Sequence, residues 1–268
     1  MTDDAQLTID GETLDEELII KTSGRVIRPF NRMIGEVADE YKLSATDDGL
    51  HVCAVDAPNV MYVDATIPAD ELETLSIQGD ETAIGVDRSR FGSTLSEARY
   101  GKSTDDPVTL SADGATLEAT VNRDYGGVPA TVTDRLALID PASLRAEPEP
   151  ITRDRPSFAL PPDAFIDIVS SFNDSKHIAV SVADGVATFS GETDTRAREV
   201  ALEVDTDGKV EPTYFSADYM EKIADGLKTG YAETATVHVD DEWPLTVRAT
   251  TEQNIRVEYT VAPRVHNE

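Results

Sequence analysis

The sequence predicts an α+β protein of two similar halves, each built from antiparallel strands with two helices. Three observations lead there. The order strand, helix, several strands, helix, hairpin runs from Leu18 to Val121 and returns after Phe158. Asp48-Gly49, Asp113-Gly114 and Asp184-Gly185 sit between alternating apolar residues, which is the signature of tight hairpins. Between the halves, Leu136 to Phe158 carries Pro141, Pro148, Pro150 and Pro156; so long a stretch without regular structure is uncommon inside a compact domain and reads as a link. The expected division is an acidic extension at 1–17, a first domain at 18–135, the link at 136–157 and a second domain at 158–268.

Taken in order, residues 1 to 17 are polar and acidic, with one apolar alternation at Leu7-Thr-Ile9, and suggest a loose hairpin or an unstructured extension. Leu18-Ile-Ile-Lys-Thr22 is a strand. Val26, Phe30, Met33, Ile34, Val37 and Tyr41 recur at helical spacing, so a helix is expected from Val26 to Tyr41. Pro29 must then lie in its first turn, where a missing N–H is harmless, and Arg25 would precede the helix proper. A hairpin follows from Tyr41 to Val55, then a strand from Val60 to Ile67, a second helix near Ser89 to Ala98, and a hairpin from Val108 to Val121. Tyr125-Gly-Gly-Val-Pro129 reads as a turn. In the second half a helix is expected at Asp163 to Asn173, a hairpin at Ile178 to Phe189, and a strand at Arg198 to Val204. A helix at Ser216 to Leu227 and a last hairpin from Thr236 to Ala262 complete it.

Composition narrows the setting. With 268 residues and 40% hydrophobic content the chain can bury a substantial core. Its formal net charge is −29, and the acids are spread along its length, not gathered in a tail. Dispersed acid over a core suits molar salt, where charges are screened within about 3 Å. A haloarchaeal cytoplasm, or the host cell of a virus of such organisms, is the expected location. The single cysteine, Cys53, allows no internal disulfide. The N-terminus shows no signal pattern and no apolar run is long enough to span a bilayer, so a soluble intracellular protein without membrane contact is expected.

Catalytic and metal signals are weak. There is no Gly-rich phosphate loop, no H-E-x-x-H and no G-x-S-x-G, and His51, His177, His238 and His266 have no ligand spacing. His51 and Cys53 alternate along one strand face, where packing is the better account than a soft metal. Asp47-Asp48, Asp105-Asp106 and Asp240-Asp241 read as turn and surface residues of an acidic chain. No enzyme activity, cofactor or metal is expected.

Four segments in order, Ala54-Val-Asp-Ala-Pro-Asn-Val60, Leu136-Ala-Leu-Ile-Asp-Pro141, Tyr214-Phe-Ser-Ala-Asp-Tyr219 and Val261-Ala-Pro-Arg-Val265, carry a resemblance. From Leu18 to Val265 the chain resembles the sliding DNA clamps of archaea and eukaryotes, the proliferating cell nuclear antigen (PCNA) family. The resemblance implies a homotrimeric ring with helices inside and sheets outside. Such a ring encircles double-stranded DNA as a polymerase processivity factor in replication and repair. Partners would be DNA polymerase, the clamp loader and other proteins carrying a clamp-binding peptide.

On the helix wheel Arg25, Arg28 and Arg32 share an arc opposite the apolar face. By themselves they could be a solvated face pairing with Glu36 and Asp39; the resemblance turns that face toward DNA. Arg88, Arg90, Arg99 and Lys102 near the second helix, and Lys222 and Lys228 on the last one, are further DNA-facing candidates. The second half departs from the family: Asp167 and serines occupy the polar face of its first helix, where clamps usually carry Lys or Arg. Contacts to DNA should therefore be weak. The resemblance also implies a partner pocket under the link, lined by Val55, Val60, Tyr62, Leu144, Pro148, Pro244, Val261, Ala262 and Pro263. Trp243 is either a rim contact of it or a packed strand residue. Subunits would join edge to edge, through Thr116, Leu117, Glu118 and Thr120 on one side and Thr188, Ser190 and Glu192 on the other. With −29 on every chain, such a ring should loosen at low salt. The alternative is a monomeric acidic β-rich binding protein, a mimic of DNA, that forms no ring.

Overall fold

The computed structural model describes residues 8–9, 12–13, 17–101, 105–148, 151, 155–206 and 208–264. The first half contains β1 (Thr8–Ile9), β2 (Glu12–Thr13), β3 (Leu18–Ser23), α1 (Gly24–Gly35), β4 (Glu40–Thr46), β5 (Gly49–Val55), β6 (Met61–Pro68), β7 (Thr74–Ile77), β8 (Glu81–Asp87), α2 (Arg88–Leu95), β9 (Pro107–Asp113), β10 (Thr116–Asp124) and β11 (Pro129–Ala137). The second contains β12 (Ser157–Ala159), α3 (Pro162–Ser170), β13 (His177–Ala183), β14 (Val186–Thr193), β15 (Arg196–Glu203), β16 (Val210–Ser216), α4 (Ala217–Gly230), β17 (Ala232–His238), β18 (Leu245–Thr251) and β19 (Arg256–Val261). Of the expected extension, only the short pair β1–β2 and Glu17 fall within the described residues.

The antiparallel strands form three main sheets. One is β11-β10-β9-β3-β7 and another β15-β14-β13-β16; the largest runs β12-β17-β18-β19-β6-β5-β4-β8. That largest sheet crosses from half to half at β19 and β6, which pair from Arg256↔Thr66 to Val261↔Met61. The helices form one layer, α2 against α1, α1 against α4, and α4 against α3. The apolar side chains between this layer and the sheets form a single core, with Phe30, Met33, Phe165, Met220, Leu227 and Tyr259 all buried. At the α1–α4 contact a Cβ on Gly226 would fall 2.1 Å from Tyr259 Oη. Only glycine lets that phenol reach across to donate to the Met33 carbonyl at 3.1 Å.

Several expectations are corrected. α1 starts at Gly24, because its first N–H groups find acceptors outside the helix: Gly24 N–H donates to the Asp106 carbonyl and Arg25 N–H to Asp105 Oδ1, both at 3.0 Å. Arg25 therefore lies inside the helix, and Pro29 lies beyond its first turn. α1 also stops at Gly35, six residues before Tyr41, which alternates into β4. The last hairpin is three strands, β17 to β19, and β7, β8, β11 and β16 are additional strands.

The strands expected to meet edge to edge between subunits are not edges of their sheets. Thr116, Leu117, Glu118 and Thr120 lie on β10, which is paired along one side with β11 and along the other with β9. Thr188, Ser190 and Glu192 lie on β14, enclosed between β13 and β15. Neither strand has an open backbone edge. The open edges of those two sheets are β11 and β7, and β15 and β16. β7 is only four residues long, and β16 carries Pro212 and a register shift, features that discourage further pairing. β11 and β15 are long and regular, with nine and eight residues.

Candidate functional site

Two surfaces matter: the exposed side of the helix layer, and the opposite face of the large sheet, which the link crosses. α1 turns Val26, Ile27, Phe30, Met33 and Ile34 into the core, which leaves Arg25, Arg28 and Arg32 on its outer side. Arg25 is neutralised there. Its guanidinium donates to the Gly101 carbonyl at 2.6 Å and lies 3.7 Å from Asp105 and 4.0 Å from Glu252. Arg28 donates to the Ala98 carbonyl at 2.5 Å and lies over the Tyr100 ring, 5.0 Å from its centroid. Burial, and then the adjacent Arg32 charge, lower its pKa. Arg32 donates to Tyr100 Oη at 3.4 Å.

Other candidates divide the same way. Arg90 reaches Asp87 Oδ2 at 3.5 Å, and that same carboxylate caps α2, accepting from Ser89 N and Arg90 N. These bonds hold the Asp87 pKa below its ordinary value. Arg99 binds Asp106 at 3.0 Å; burial alone would raise the Asp106 pKa, but the hydrogen bonds from Arg99 overcome it and lower it. Arg88 lies against Gly35 at the C-terminal end of α1, with its Nε buried and lacking a hydrogen-bond partner. Lys222 sits 5.2 Å from the Tyr219 ring centroid, and Lys228 is exposed in the last turn of α4. Lys102 lies outside the described residues. Among the described residues, Arg28, Arg32, Arg88, Lys222 and Lys228 make no ion pair, whereas Arg25, Arg90 and Arg99 do. On α3 the exposed side carries Asp163 and Asp167.

Two tyrosines complete this surface, and sequence reasoning missed both. Tyr100, just beyond α2, meets Tyr231 edge to face, with centroids 6.2 Å apart. Tyr231 caps α4 in the left-handed conformation, φ 56°, and is 55% exposed. No periodicity marks either residue; only the fold brings them together.

On the other surface, four residues pin the link. Ile139 N–H donates to the Gly85 carbonyl at 2.9 Å, on the β8 edge, where a Cβ on Gly85 would collide with Ile139. Arg145 donates to the Asp56 and Ala57 carbonyls at 2.8 Å, and Glu147 pairs with Lys42. Arg155 then crosses β18, donating to the Pro244 carbonyl at 2.7 Å and to Thr246 Oγ1 at 3.0 Å.

A cavity of about 550 Å³ opens beside the link, and Val55 and Leu144 line it together with Tyr41, Asp39, Asp87 and Arg145. Val60, Tyr62, Pro148, Pro244, Ala262 and Pro263 are outside that lining. Val60 instead abuts the C-terminal strand, its carbonyl accepting from Ala262 N–H at 2.8 Å, and Tyr62 lies opposite Thr260. Val261 is 0% exposed and turned into the core, so its side chain offers no pocket surface; strand alternation places it opposite Met61 on the inner face. Trp243 is 41% exposed in the turn between β17 and β18, not within a strand.

Asp56 was also missed as a tie between halves. Only 4% exposed, it accepts through Oδ1 from Val60 N–H at 2.8 Å and Met61 N–H at 3.0 Å, and through Oδ2 from Tyr219 Oη at 2.6 Å. Burial, together with that bond, pushes the Tyr219 phenol up to about 12.

Helices on one side of a sheet shared by two similar halves define the architecture of DNA clamps, and solved structures bear this out. A. fulgidus PCNA with the C-terminal region of FEN-1 bound superposes with a TM-score of 0.81 at 23% identity, covering 94% of this chain and 100% of that one. PCNA of Entamoeba histolytica gives 0.80 at 14% identity, covering 93% and 99%. No family model matches the sequence. The DNA polymerase sliding clamp of Halobacterium salinarum is 30% identical over 245 residues, spanning 87% of this chain and 93% of the relative. That of Archaeoglobus fulgidus is 28% identical over 262 residues, spanning 92% and 98%. The chain belongs to the family of DNA polymerase sliding clamps.

Proposed function

We propose that three copies of this chain close into a ring around duplex DNA, helices inward, and that the ring tethers replication and repair proteins while catalysing nothing itself. The carrying observation is the helix layer: its exposed side gathers Arg28, Arg32, Arg88, Lys222 and Lys228, which have no ion-pair partners among the described residues of a very acidic chain. Arg25, Arg90 and Arg99 stand beside them as cations already neutralised by carboxylates. A surface this sparsely basic grips weakly, so retention on DNA is topological. The ring closes by pairing β11 of one copy with β15 of the next, a head-to-tail contact that can close on itself. PCNA2 and PCNA3 of Sulfolobus tokodaii, in a complex whose structure resembles this chain at a TM-score of 0.76, are an instance of clamp subunits assembling.

Partner proteins dock, in this reading, beside the link, where Val55 and Leu144 meet and Val60, Tyr62, Pro244, Ala262 and Pro263 continue the surface. The FEN-1 segment bound to A. fulgidus PCNA is the kind of occupant expected. Among the described residues no helix is long and apolar enough to cross a membrane; the working compartment is a high-salt cytoplasm. The test is polymerase processivity with a loader on circular and on linear DNA. A clamp stays on circles and slides from free ends; equal processivity on both refutes the ring. Native mass should be about three chains in 2–3 M KCl, where screening is nearly complete, and a monomer at every salt favours the acidic binding protein instead.

A further inference from the structure

Resting on the reading of the helix layer as DNA-facing, we propose that Tyr100 and Tyr231 are DNA-backbone contacts, and that they supply the part of the grip that salt does not weaken. Several observations lead here. Arg28 and Arg32 are one turn apart and are the two unpaired arginines of the outer face of α1. Both engage one ring: Arg28 over its face at 5.0 Å and Arg32 at its hydroxyl at 3.4 Å. Tyr231 reaches the same ring from the other half of the chain, with centroids 6.2 Å apart. The four side chains thus form one patch across the seam between α1 and α4.

Tyr231 itself is an outlier. It occupies a left-handed helix cap, φ 56°, where glycine or asparagine would sit at lower energy, and it leaves 55% of its surface exposed. A bulky residue kept in a strained, exposed position is a mark of use, not of packing. The chemistry that fits two cations held beside two phenols is a phosphodiester: the guanidiniums supply charge and the hydroxyls supply neutral donors to the same oxygens. Neutral donors release no counterions, whereas each cation–phosphate contact loses about eightfold in affinity for a tenfold rise in salt. Two arginine contacts fade about 60-fold between roughly 0.2 and 2 M KCl, while hydroxyl contacts do not fade by this route.

The test is equilibrium binding of a short fluorescein-labelled duplex to the full chain across that salt range. Tyr100→Phe removes a hydroxyl and keeps the ring; Tyr231→Asn removes the phenol and suits the left-handed cap, so it keeps the fold. Each should weaken binding by about two- to tenfold, equally at low and high salt, leaving the slope of log affinity against log salt unchanged. Arg28→Gln and Arg32→Gln should instead flatten that slope by about 0.9 each. Native mass serves as the control, since a merely structural role would alter assembly and not the offset between parallel lines. Tyrosine variants that bind as wild type, or that flatten the slope, overturn the assignment while the DNA-facing reading stands. A wild-type chain that binds no duplex at any salt, and is not retained on circles, overturns that reading itself.

Discussion

The tie between halves at Asp56 can be broken from either side. The Asp56 carboxylate accepts three hydrogen bonds, two from backbone N–H groups of its own turn and one from Tyr219 Oη at 2.6 Å. Bonds to a charged group contribute about 1.5–3 kcal/mol each, and a buried donor left alone costs about 1–3 kcal/mol. Tyr219→Phe removes only the bond between halves and should cost about 1.5–3 kcal/mol. Asp56→Ala also strands the Met61 N–H in the core and should cost about 3–5 kcal/mol. The double variant should cost less than the sum, because the second change finds its bond already gone. Urea unfolding in molar KCl reads this out, with the fluorescence of Trp243, the only tryptophan, as one probe and far-UV circular dichroism as another. Additive effects, or a Tyr219→Phe cost under about 0.5 kcal/mol, would show that the bond carries no coupling between the halves. The pH dependence has a definite sign. The folded phenol is pushed up to about 12 from an ordinary value of 10.0, so its stabilisation is complete below pH 10 and disappears as pH rises to 12. Tyr41 and Tyr259, also raised by burial, act in the same direction.

Three further outcomes follow from other sites. Tyr231→Gly relieves the left-handed cap and should raise stability by about 1 kcal/mol in urea unfolding; a loss would mean that the Tyr100 contact outweighs the strain. His51 has its pKa raised, first by its hydrogen bond to Asp64, so the pair stabilises below the ordinary histidine value of 6.5 and fades as pH climbs through the raised one. An Asp64→Asn variant should lose that dependence, checked by unfolding across pH 5–9. Leu144→Glu places a charge at the cavity beside the link and should weaken a clamp-binding peptide by tenfold or more, about 1.4 kcal/mol, with native mass unchanged; titration calorimetry decides it.

Strong alternation and Asp-Gly turns made the hairpins β4–β5, β9–β10 and β13–β14 readable, because both faces of those strands are specified by polarity. β11 was not readable. Pro129-Ala-Thr-Val-Thr-Asp-Arg-Leu-Ala137 follows a glycine turn and is only half buried along its inner face, so its apolar signal is faint. The expected contact at Thr116 to Thr120 rested on the family resemblance; with β11 added outside it, β10 is an inner strand of its sheet. In the second half β15 was legible as a strand, but that it stands outside β14 is a property of sheet order, set by pairings absent from local sequence. The arginines of α1 were legible from a 3.6-residue period. Tyr100, Tyr231, Asp56 and Tyr219 were not, since their partners lie at sequence distances that no local pattern spans.

The large sheet has a mechanical meaning. Six residue pairs stitch β6 to β19, and the bonds from Tyr219 to Asp56 and from Tyr259 to Met33 brace the same junction on the helix side. Among the described residues the two halves are thus joined through both layers, sheet and helices. If the proposed ring forms, duplex DNA would enter it more readily between chains than through a junction tied in this way. On the proposed closure, a protein that opens the ring would act at the β11 and β15 edges, which carry no pairing within the chain.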